Sequence, residues 1–314
     1  MTAEKPKIYI DGKEGTTGLQ IYDRLAARDD IRLLLIDEEK RKDTDERKKL
    51  INEADLVFLC LPDAAAVEAV SLVERETVRV IDASTAHRTA AGWAYGLAEL
   101  SQMYRERIRE SKRIANPGCH ATGFITAVYP LVQKGIVPAD YPLSAFSLTG
   151  YSGGGKKMIA EYESEEKPES HFSPRIYGLN LKHKHLPEMQ AVCGLSRPPA
   201  FCPVVDDYYK GMAVTVTFEN RLLNGCPSAA DLCACLAEWY EGQKLVKVHP
   251  FGYEGMIAAG SMAGSDVLTL IVNGHADQTM VTALFDNLGK GASGAAVQNM
   301  NLALGFEETT GLNV

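Results

Sequence analysis

The chain has 314 residues, 46% of them hydrophobic, and its 33 Lys and Arg against 41 Asp and Glu give a formal net charge of −8. This length suggests two domains, and the acidic balance argues against nucleic acid or an anionic membrane as the main partner. No apolar run approaches the roughly 20 residues that span a bilayer, the N-terminus is too polar for a signal peptide, and seven scattered cysteines without a CxxC pair indicate a reducing cytoplasm.

The first third of the chain alternates predicted strands with predicted helices. Four short apolar runs predict strands, at residues 7–10, 31–36, 56–61 and 78–81. The run at 31–36 is nearly continuous, which is typical of a parallel strand buried on both faces. Helical segments at 19–28 and 64–75 lie between the strands. This alternation predicts an α/β domain with a doubly wound, Rossmann-like parallel sheet.

Three glycines follow the first predicted strand and open the first predicted helix, at Gly12, Gly15 and Gly18. Their spacing is GxxGxxG and not the common GxGxxG. The physical need is the same, because glycine lets the backbone approach a pyrophosphate while a helix N-terminus supplies N–H groups. Thr16 and Thr17 add hydroxyl donors. The loop therefore predicts a dinucleotide site; the alternative is an ordinary tight turn.

Two signals near the end of the second predicted strand conflict over the cofactor. Asp37 stands 37 − 18 = 19 positions beyond Gly18, where an acid hydrogen-bonds the ribose 2′-hydroxyl of NAD. Lys40, Arg41 and Lys42 follow it. They either hold the 2′-phosphate of NADP or form a solvated loop. The choice between NAD and NADP stays open on these residues alone.

The run from Asn116 to Thr122 brings a cysteine to the start of a predicted helix. Pro117 and Gly118 form a turn after a short apolar strand, and Cys119 follows them. A thiol at a helix N-terminus lies near unpaired N–H groups and the positive end of the helix dipole, which favours thiolate. Cys119 is therefore a candidate nucleophile; the alternative is an inert, buried thiol.

A nucleophilic cysteine needs a base or an electrophilic partner. The segment His183-Lys184-His185-Leu186-Pro187-Glu188 offers two histidines and an acid that can orient one of them. His120 follows Cys119 directly, and we expect its side chain to point away from the thiol. A His-x-His pair also occurs in metal sites, but no third ligand with suitable spacing stands nearby, so we expect no metal.

The pattern changes after about residue 140. Longer, more alternating segments predict strands at 143–149, 212–218 and 267–272. A Gly-rich turn at 150–157 contacts phosphate or nicotinamide, or is a flexible connection. Ser228 is the expected N-cap of a helix over 228–242. We expect an α+β domain at 119–288 with a mixed, largely antiparallel sheet, and a first domain at 1–118 to which a C-terminal helix at about 289–314 returns.

The motifs stand in a characteristic order. The glycine-threonine loop is followed by Asp-Ala-Ser-Thr-Ala-His-Arg at 82–88, Asn-Pro-Gly-Cys at 116–119, Gly-Tyr-Ser-Gly-Gly-Gly-Lys at 150–156, His-Lys-His-Leu-Pro-Glu at 183–188 and Gln-Asn-Met-Asn at 298–301. Over essentially the whole chain this series resembles the shorter class of N-acetyl-gamma-glutamyl-phosphate reductases, which share their architecture with aspartate-semialdehyde dehydrogenase. The loop departs from the Gly-Ala-Ser-Gly type of the longer class.

The resemblance implies NADPH-dependent reduction of N-acetylglutamyl phosphate to its semialdehyde, in arginine biosynthesis, by a homodimer or homotetramer. It implies a thioester on Cys119, with His183 as the catalytic histidine, Glu188 as its orienter and His185 as the alternative histidine. The expected cofactor-binding residues are Gly12, Gly15, Thr16, Thr17, Gly18, Arg41, Ser84, Ser152 and Gly153. The candidates for binding the departing phosphate or the substrate carboxylate are Arg88, Asn116 and Lys182.

Three other functions compete with this interpretation. An aspartate-semialdehyde dehydrogenase would reduce a different acyl phosphate in a different pocket. A non-catalytic dinucleotide-binding module would bind cofactor without a reactive thiol. A thiol hydrolase would not use the glycine loop. The joint presence of the cysteine turn and the histidine-glutamate segment favours the reductase.

Overall fold

The computed structural model describes residues 4–314, and these divide into two compact units. Unit 1 comprises residues 4–117 together with Ala292–Leu312, and unit 2 comprises Gly118–Gly291 together with Asn313 and Val314. Over residues 4–314, no helix is both long enough and apolar enough to cross a membrane.

Unit 1 contains a six-stranded sheet with strand order β2-β1-β3-β4-β6-β5, in which every neighbouring pair is parallel. Its strands are β1 (Lys7–Asp11), β2 (Arg32–Leu34), β3 (Leu56–Leu59), β4 (Arg79–Asp82), β5 (Ala94–Tyr95) and β6 (Arg113–Ala115). Its first four helices are α1 (Thr16–Ala26), α2 (Thr44–Glu53), α3 (Asp63–Ser71) and α4 (Gln102–Glu110). The predicted Rossmann-like parallel sheet is confirmed.

Unit 2 contains a seven-stranded sheet with strand order β11-β12-β13-β10-β7-β9-β8. Its strands are β7 (Ser144–Gly150), β8 (Arg175–Ile176), β9 (Ala200–Asp206), β10 (Met212–Glu219), β11 (Val246–Val248), β12 (Leu268–Gly274) and β13 (Gln278–Phe285). Its helices are α5 (Cys119–Gln133), α6 (Gly155–Glu163), α7 (Leu186–Cys193) and α8 (Ala229–Trp239). The pairs β7–β9 and β11–β12 are parallel and the others antiparallel, so the predicted mixed, largely antiparallel sheet is confirmed.

The last helix, α9 (Gly294–Leu304), belongs to unit 1. Both faces of the unit 1 sheet are buried, as the sequence of β3 illustrates. Leu56 and Phe58 pack in a cluster with Met300 of α9, whereas Val57 and Leu59 pack in a second cluster on the opposite face. Successive strand residues point to opposite faces, so a continuous apolar strand needs helices on both sides.

The prediction for the second strand is wrong in one respect. The apolar run at 31–36 was expected to form a strand buried on both faces, but β2 covers only Arg32–Leu34, and Leu35 is 60% exposed. The reason is its position, since β2 lies at the edge of the sheet and pairs only with β1. An edge strand is covered less completely than a central strand of the same composition.

Helix α5 lies close against the sheet of unit 2. At Gly123 a β-carbon would lie 2.6 Å from Val214 Cγ2 and 2.8 Å from Phe285 Cε1, so only glycine allows this approach to β10 and β13. The side chain of Ser228 accepts a hydrogen bond from Asp231 N–H at the start of α8, which confirms the expected N-cap. The close contact at Gly123 fixes the N-terminal end of α5, where Cys119 lies.

Candidate active site

The glycine loop of unit 1 joins β1 to α1 in a tight turn. Gly12 has φ +82°, and a β-carbon there would clash with the carbonyl of Cys60. At Gly18 a β-carbon would lie 2.5 Å from the carbonyl oxygen of Gly12. These two glycines are therefore required by the protein's own packing.

The middle of the loop is different, because its glycine is not required by the protein. Gly15 is the N-cap of α1 with φ −70°, and the nearest atom to a β-carbon there would be 3.4 Å away. Thr16 Oγ1 is buried and has no hydrogen-bond partner within residues 4–314. An open glycine face beside an unused hydroxyl at a helix N-terminus fits a pyrophosphate.

Alanine substitutions should separate these two kinds of glycine. Gly18→Ala is expected to destabilise the fold by about 1–3 kcal/mol, because its β-carbon meets backbone that must move. Gly15→Ala is expected to change the unfolding free energy by less than about 1 kcal/mol, yet to weaken dinucleotide binding about tenfold. Denaturant unfolding and fluorescence titration with the dinucleotide measure the two effects. Parent affinity in Gly15→Ala would place the pyrophosphate elsewhere.

The segment after β2 carries both charge signs. A cavity of about 460 Å³ is lined by Asp37, Glu38, Glu39, Lys40 and Arg41. Lys40 Nζ lies 3.9 Å from Asp37 and Arg41 Nη1 lies 3.5 Å from Glu38, all on exposed side chains. Exposed ion pairs of this kind contribute about 0–1 kcal/mol to stability. Lys40 and Arg41 can therefore leave their carboxylate partners and bind a ligand instead.

The loop after β4 is organised around a buried carboxylate. Asp82 is fully buried and accepts hydrogen bonds from Ser84 N–H at 2.9 Å and Ser84 Oγ–H at 2.7 Å. His87 Nδ1 lies 2.6 Å from Asp82 Oδ2, and its ring stacks on Trp93 at 4.1 Å between centroids. The expected cofactor ligand Ser84 is therefore held rigidly at the carboxyl end of β4.

Two of the expected substrate-binding residues make hydrogen bonds inside unit 1. Arg88 Nε donates to the carbonyl of Asn116 at 3.0 Å, and Nη2 donates to the carbonyl of Ala83 at 3.2 Å. Asn116 Nδ2 donates to the carbonyl of Ala292, and Asn116 Oδ1 accepts from Asn299 Nδ2, both at 3.0 Å. The side chain of Asn116 is buried. These contacts brace the chain just before the cysteine turn.

In unit 2, Cys119 is the first residue of α5, and Gly118 is the N-cap in extended conformation. Gly118 N–H donates a 3.1 Å hydrogen bond to Glu188 Oε2 of α7. Gly291 packs directly on the cysteine, since a β-carbon there would lie 3.0 Å from Cys119 Cβ. The thiol side chain is partly exposed. The turn is thus held by the carboxylate of Glu188, and Gly291 packs closely on the cysteine that follows it.

A cluster of three histidines lies in the same unit. The ring centroid of His183 lies 4.7 Å from that of His185 and 5.2 Å from that of His120, and the ring is edge-on to both. His185 N–H donates to His183 Nδ1 at 3.2 Å. His120 thus belongs to the histidine cluster, and Tyr177 joins it with its ring centroid 6.1 Å from that of His183.

Burial and neighbouring charge set the protonation states of His120 and Tyr177. Burial, with the charges of His183 and Lys184, lowers the pKa of His120 to about 3. Burial raises the pKa of Tyr177, and the nearby charge of Cys119 raises it further. His120 is therefore neutral and Tyr177 is a phenol near neutral pH, and the phenol lies within electrostatic reach of the thiolate.

The other expected residues of unit 2 lie in two places. Ser152 is buried, and its Oγ accepts a 3.0 Å hydrogen bond from Asn287 Nδ2, while Asn287 Oδ1 accepts from Gly211 N–H at 2.8 Å. Gly153 would bring a β-carbon 3.5 Å from the same amide. Lys182 is exposed. Over residues 4–314, no group of three or more His, Cys, Asp or Glu side chains is arranged so that it could hold a metal ion.

Sequence reasoning missed Tyr177, Asn287 and Gly291. Tyr177 follows a two-residue strand, and Gly291 stands 291 − 119 = 172 positions beyond the cysteine that it touches. Neither lies in an apolar period or a recognisable spacing. The one usable signal was the glycine pair around Lys290, because glycines before a helix often mark close backbone contact.

Two family models match the chain. Residues 23–111 match the NAD binding domain of semialdehyde dehydrogenases, and residues 119–287 match their dimerisation domain. The first unit thus contains a nicotinamide dinucleotide-binding domain.

Curated relatives match at nearly full length. An N-acetyl-gamma-glutamyl-phosphate reductase 2 of Pseudomonas putida is 48% identical, over 98% of this chain and 99% of its own. An N-acetyl-gamma-glutamyl-phosphate reductase of Brucella ovis is 49% identical, over 96% of this chain and 99% of its own. Among solved structures, aspartate semialdehyde dehydrogenase II of Vibrio cholerae has the same fold, with a TM-score of 0.74 at 16% identity over 96% of this chain and 99% of that one.

Proposed function

The chain belongs to the N-acetyl-gamma-glutamyl-phosphate reductases of the semialdehyde dehydrogenase family, and we propose that it reduces N-acetyl-L-glutamyl 5-phosphate to N-acetyl-L-glutamate 5-semialdehyde with release of phosphate, in arginine biosynthesis. The observation that supports this proposal is that one compact unit holds both Cys119, at the start of α5, and a histidine cluster in which the ring of His183 packs on that of His120, the residue after Cys119.

The reaction begins at the thiolate of Cys119. Its sulfur attacks the acyl carbon of the substrate, the bond from that carbon to the phosphate oxygen breaks, and a thioester forms as phosphate leaves. The position of Cys119 at the helix N-terminus favours the thiolate and aims N–H groups at the developing oxyanion. Glu188 supports this geometry because it fixes the Gly118 amide of the preceding turn.

The nicotinamide dinucleotide supplies the hydride that reduces the thioester carbon. We propose that its pyrophosphate binds to the glycine loop through Gly12, Gly15, Thr16, Thr17 and Gly18, as the unused Thr16 hydroxyl supports. Further cofactor contacts are proposed from Arg41, Ser84, Ser152 and Gly153. Of these, Ser84 and Ser152 have hydroxyl groups fixed by Asp82 and Asn287.

His183 completes the second half of the reaction. Nδ1 of His183 accepts from His185 N–H, which in a neutral ring puts the proton on Nε2. This N–H stabilises the oxyanion of the thiohemiacetal by a hydrogen bond, or a protonated ring passes its proton to that oxygen and takes it back as the aldehyde forms. When the carbon–sulfur bond breaks, the thiolate of Cys119 returns and the aldehyde leaves. The orienting role of Glu188 on His183 stays a prediction.

The three candidate substrate residues divide into two groups. Lys182 is exposed and offers its ammonium to phosphate or carboxylate. Arg88 donates to the carbonyl of Asn116, and Asn116 donates to that of Ala292, so we propose that they hold the chain in place where the cysteine turn begins. Assembly into a homodimer or homotetramer through the second unit is proposed from the match to the dimerisation domain.

A direct assay tests the substrate. Purified protein is given N-acetylglutamyl phosphate and aspartyl phosphate side by side, and oxidation of the reduced dinucleotide is followed at 340 nm. We expect turnover with the first substrate and at least about 100-fold lower kcat/KM with the second. A preference for aspartyl phosphate would make the chain an aspartate-semialdehyde dehydrogenase. Binding of dinucleotide without turnover of either would indicate a non-catalytic module.

The proposed dinucleotide is NADPH, with Arg41 as a ligand of the 2′-phosphate. We expect the parent to bind NADPH more tightly than NADH, and Arg41→Ala to raise the Kd for NADPH about tenfold, since a charge-assisted hydrogen bond is lost. The Kd for NADH should not change. Lys42→Ala is the matched control, because it removes a neighbouring cation outside the cavity. Equal weakening of both dinucleotides, or tighter binding of NADH, contradicts this assignment.

A further inference from the structure

His120 makes a hydrogen-bond contact with each of its ring nitrogens. Nδ1 lies 2.8 Å from Ser147 Oγ of β7, and Nε2 lies 2.7 Å from the hydroxyl of Tyr177. The His120 side chain is only 3% exposed, and Ser147 is fully buried. The ring of Phe201 packs on it at 5.2 Å between centroids. Both the helix and these contacts therefore hold the imidazole in one orientation.

The chemistry of a neutral imidazole matches this arrangement. One ring nitrogen donates and the other accepts, and a hydroxyl can do either, so both contacts can be made at once. A charged ring would present two donors and would lie next to His183 and Lys184, which disfavour it. The neutral ring thus links β7, through α5, to the segment after β8 that carries Tyr177.

We propose that His120 is a positioning residue that fixes the Tyr177 hydroxyl and the His183 ring beside Cys119. The ring of His183 packs on those of His120 and Tyr177, with centroid distances of 5.2 Å and 6.1 Å. Displacement of either neighbour therefore changes the position of the His183 imidazole. Tyr177 is also within electrostatic reach of Cys119. His120 acts through these groups and does not itself touch substrate. The proposal rests on the proposed role of Cys119 as the nucleophile.

The alternative is that His120 only fills space in the core. The two roles differ in whether the hydrogen bond to Tyr177 is needed for catalysis. His120→Asn keeps an amide near the position of Nδ1, facing Ser147, but does not reach Tyr177. His120→Gln extends an amide to the position of Nε2, facing Tyr177. A positioning role therefore predicts that glutamine rescues what asparagine loses, whereas a packing role makes no such distinction.

A double-mutant cycle with Tyr177→Phe tests the link. We expect His120→Asn and Tyr177→Phe each to lower kcat about 10- to 100-fold and to slow alkylation of Cys119 by iodoacetamide, with the KM for the dinucleotide unchanged. The double variant should be no slower than the slower single variant, because both substitutions remove the same contact, that between His120 Nε2 and the Tyr177 hydroxyl. His120→Gln should keep most of the parent rate. Multiplied effects in the double variant, or a folded His120→Gln as slow as His120→Asn, overturn the proposal.

The matched control is His171→Asn. His171 is also a buried histidine of unit 2, and the ring of Tyr162 packs on it with 4.8 Å between centroids. His171→Asn therefore measures the general effect of replacing a buried histidine with asparagine and should leave kcat unchanged. A loss of kcat equal to that of His120→Asn overturns the proposal. Cys119→Ala distinguishes a failure of the proposed nucleophile from a failure of the proposed role of His120. If Cys119→Ala keeps full turnover, Cys119 is not the nucleophile. If Cys119→Ala is inactive but the effects multiply in the double-mutant cycle, only the proposed role of His120 is contradicted.

Discussion

Replacing Cys119 with alanine is expected to lower acyl-phosphate reduction by about 10⁴-fold or more, while the dinucleotide binds with parent affinity. The reason is that the thioester cannot form without the sulfur, and loss of a covalent nucleophile removes a whole pathway and not one contact. Binding should survive because the glycine loop belongs to unit 1 and Cys119 to unit 2. Oxidation of the reduced dinucleotide in the presence of the acyl phosphate measures the rate, and a parallel fluorescence titration measures dinucleotide affinity.

Cys235→Ala provides the control for this experiment. Cys235 lies on α8 in the same unit and is also partly exposed, but burial raises the pKa of its thiol, so it lacks the setting that favours thiolate. It should keep the parent rate and the parent reaction with iodoacetamide. Turnover of Cys119→Ala within about tenfold of the parent would contradict covalent catalysis and favour direct hydride transfer.

The fold was readable from the sequence because its signals are local. The β-α alternation, the glycine loop and the Ser228 cap each lie within one or two elements, and the structure contains all three. The strand at 31–36 failed because its edge position depends on where the other strands pair. A sequence window contains the apolar run but not its neighbours in the sheet.

The site was readable only in part, for the same reason. Cys119 and the segment from His183 to Glu188 carry dense local motifs, whereas the partners of these residues come from far along the chain. His120 was expected to point away because neighbouring helix residues diverge by about 100°. That expectation concerned only the thiol and could not include β7 and the segment after β8, which place Ser147 and Tyr177 around the ring. The face of α5 that holds His120 is thus part of the cluster.

Replacing His183 with asparagine is expected to lower kcat by about 10²–10⁴-fold, the range for a lost oxyanion donor or general acid. The hydrogen bond from His185 N–H to His183 Nδ1 puts the proton of a neutral His183 ring on Nε2. His183 is also partly exposed, whereas His185 is only 5% exposed. A substrate therefore reaches the first ring more easily than the second.

A matched set of substitutions decides between the two histidines and between two roles. His185→Asn should have the smaller effect, so a mild His183→Asn with a severe His185→Asn would move the catalytic role to His185. His183→Gln places an amide N–H near the position of Nε2. If His183 only stabilises the oxyanion, glutamine should recover at least about tenfold over asparagine; if it transfers a proton, the two should be equally slow. Single-turnover rates of thioester reduction measure this difference directly, because they exclude product release.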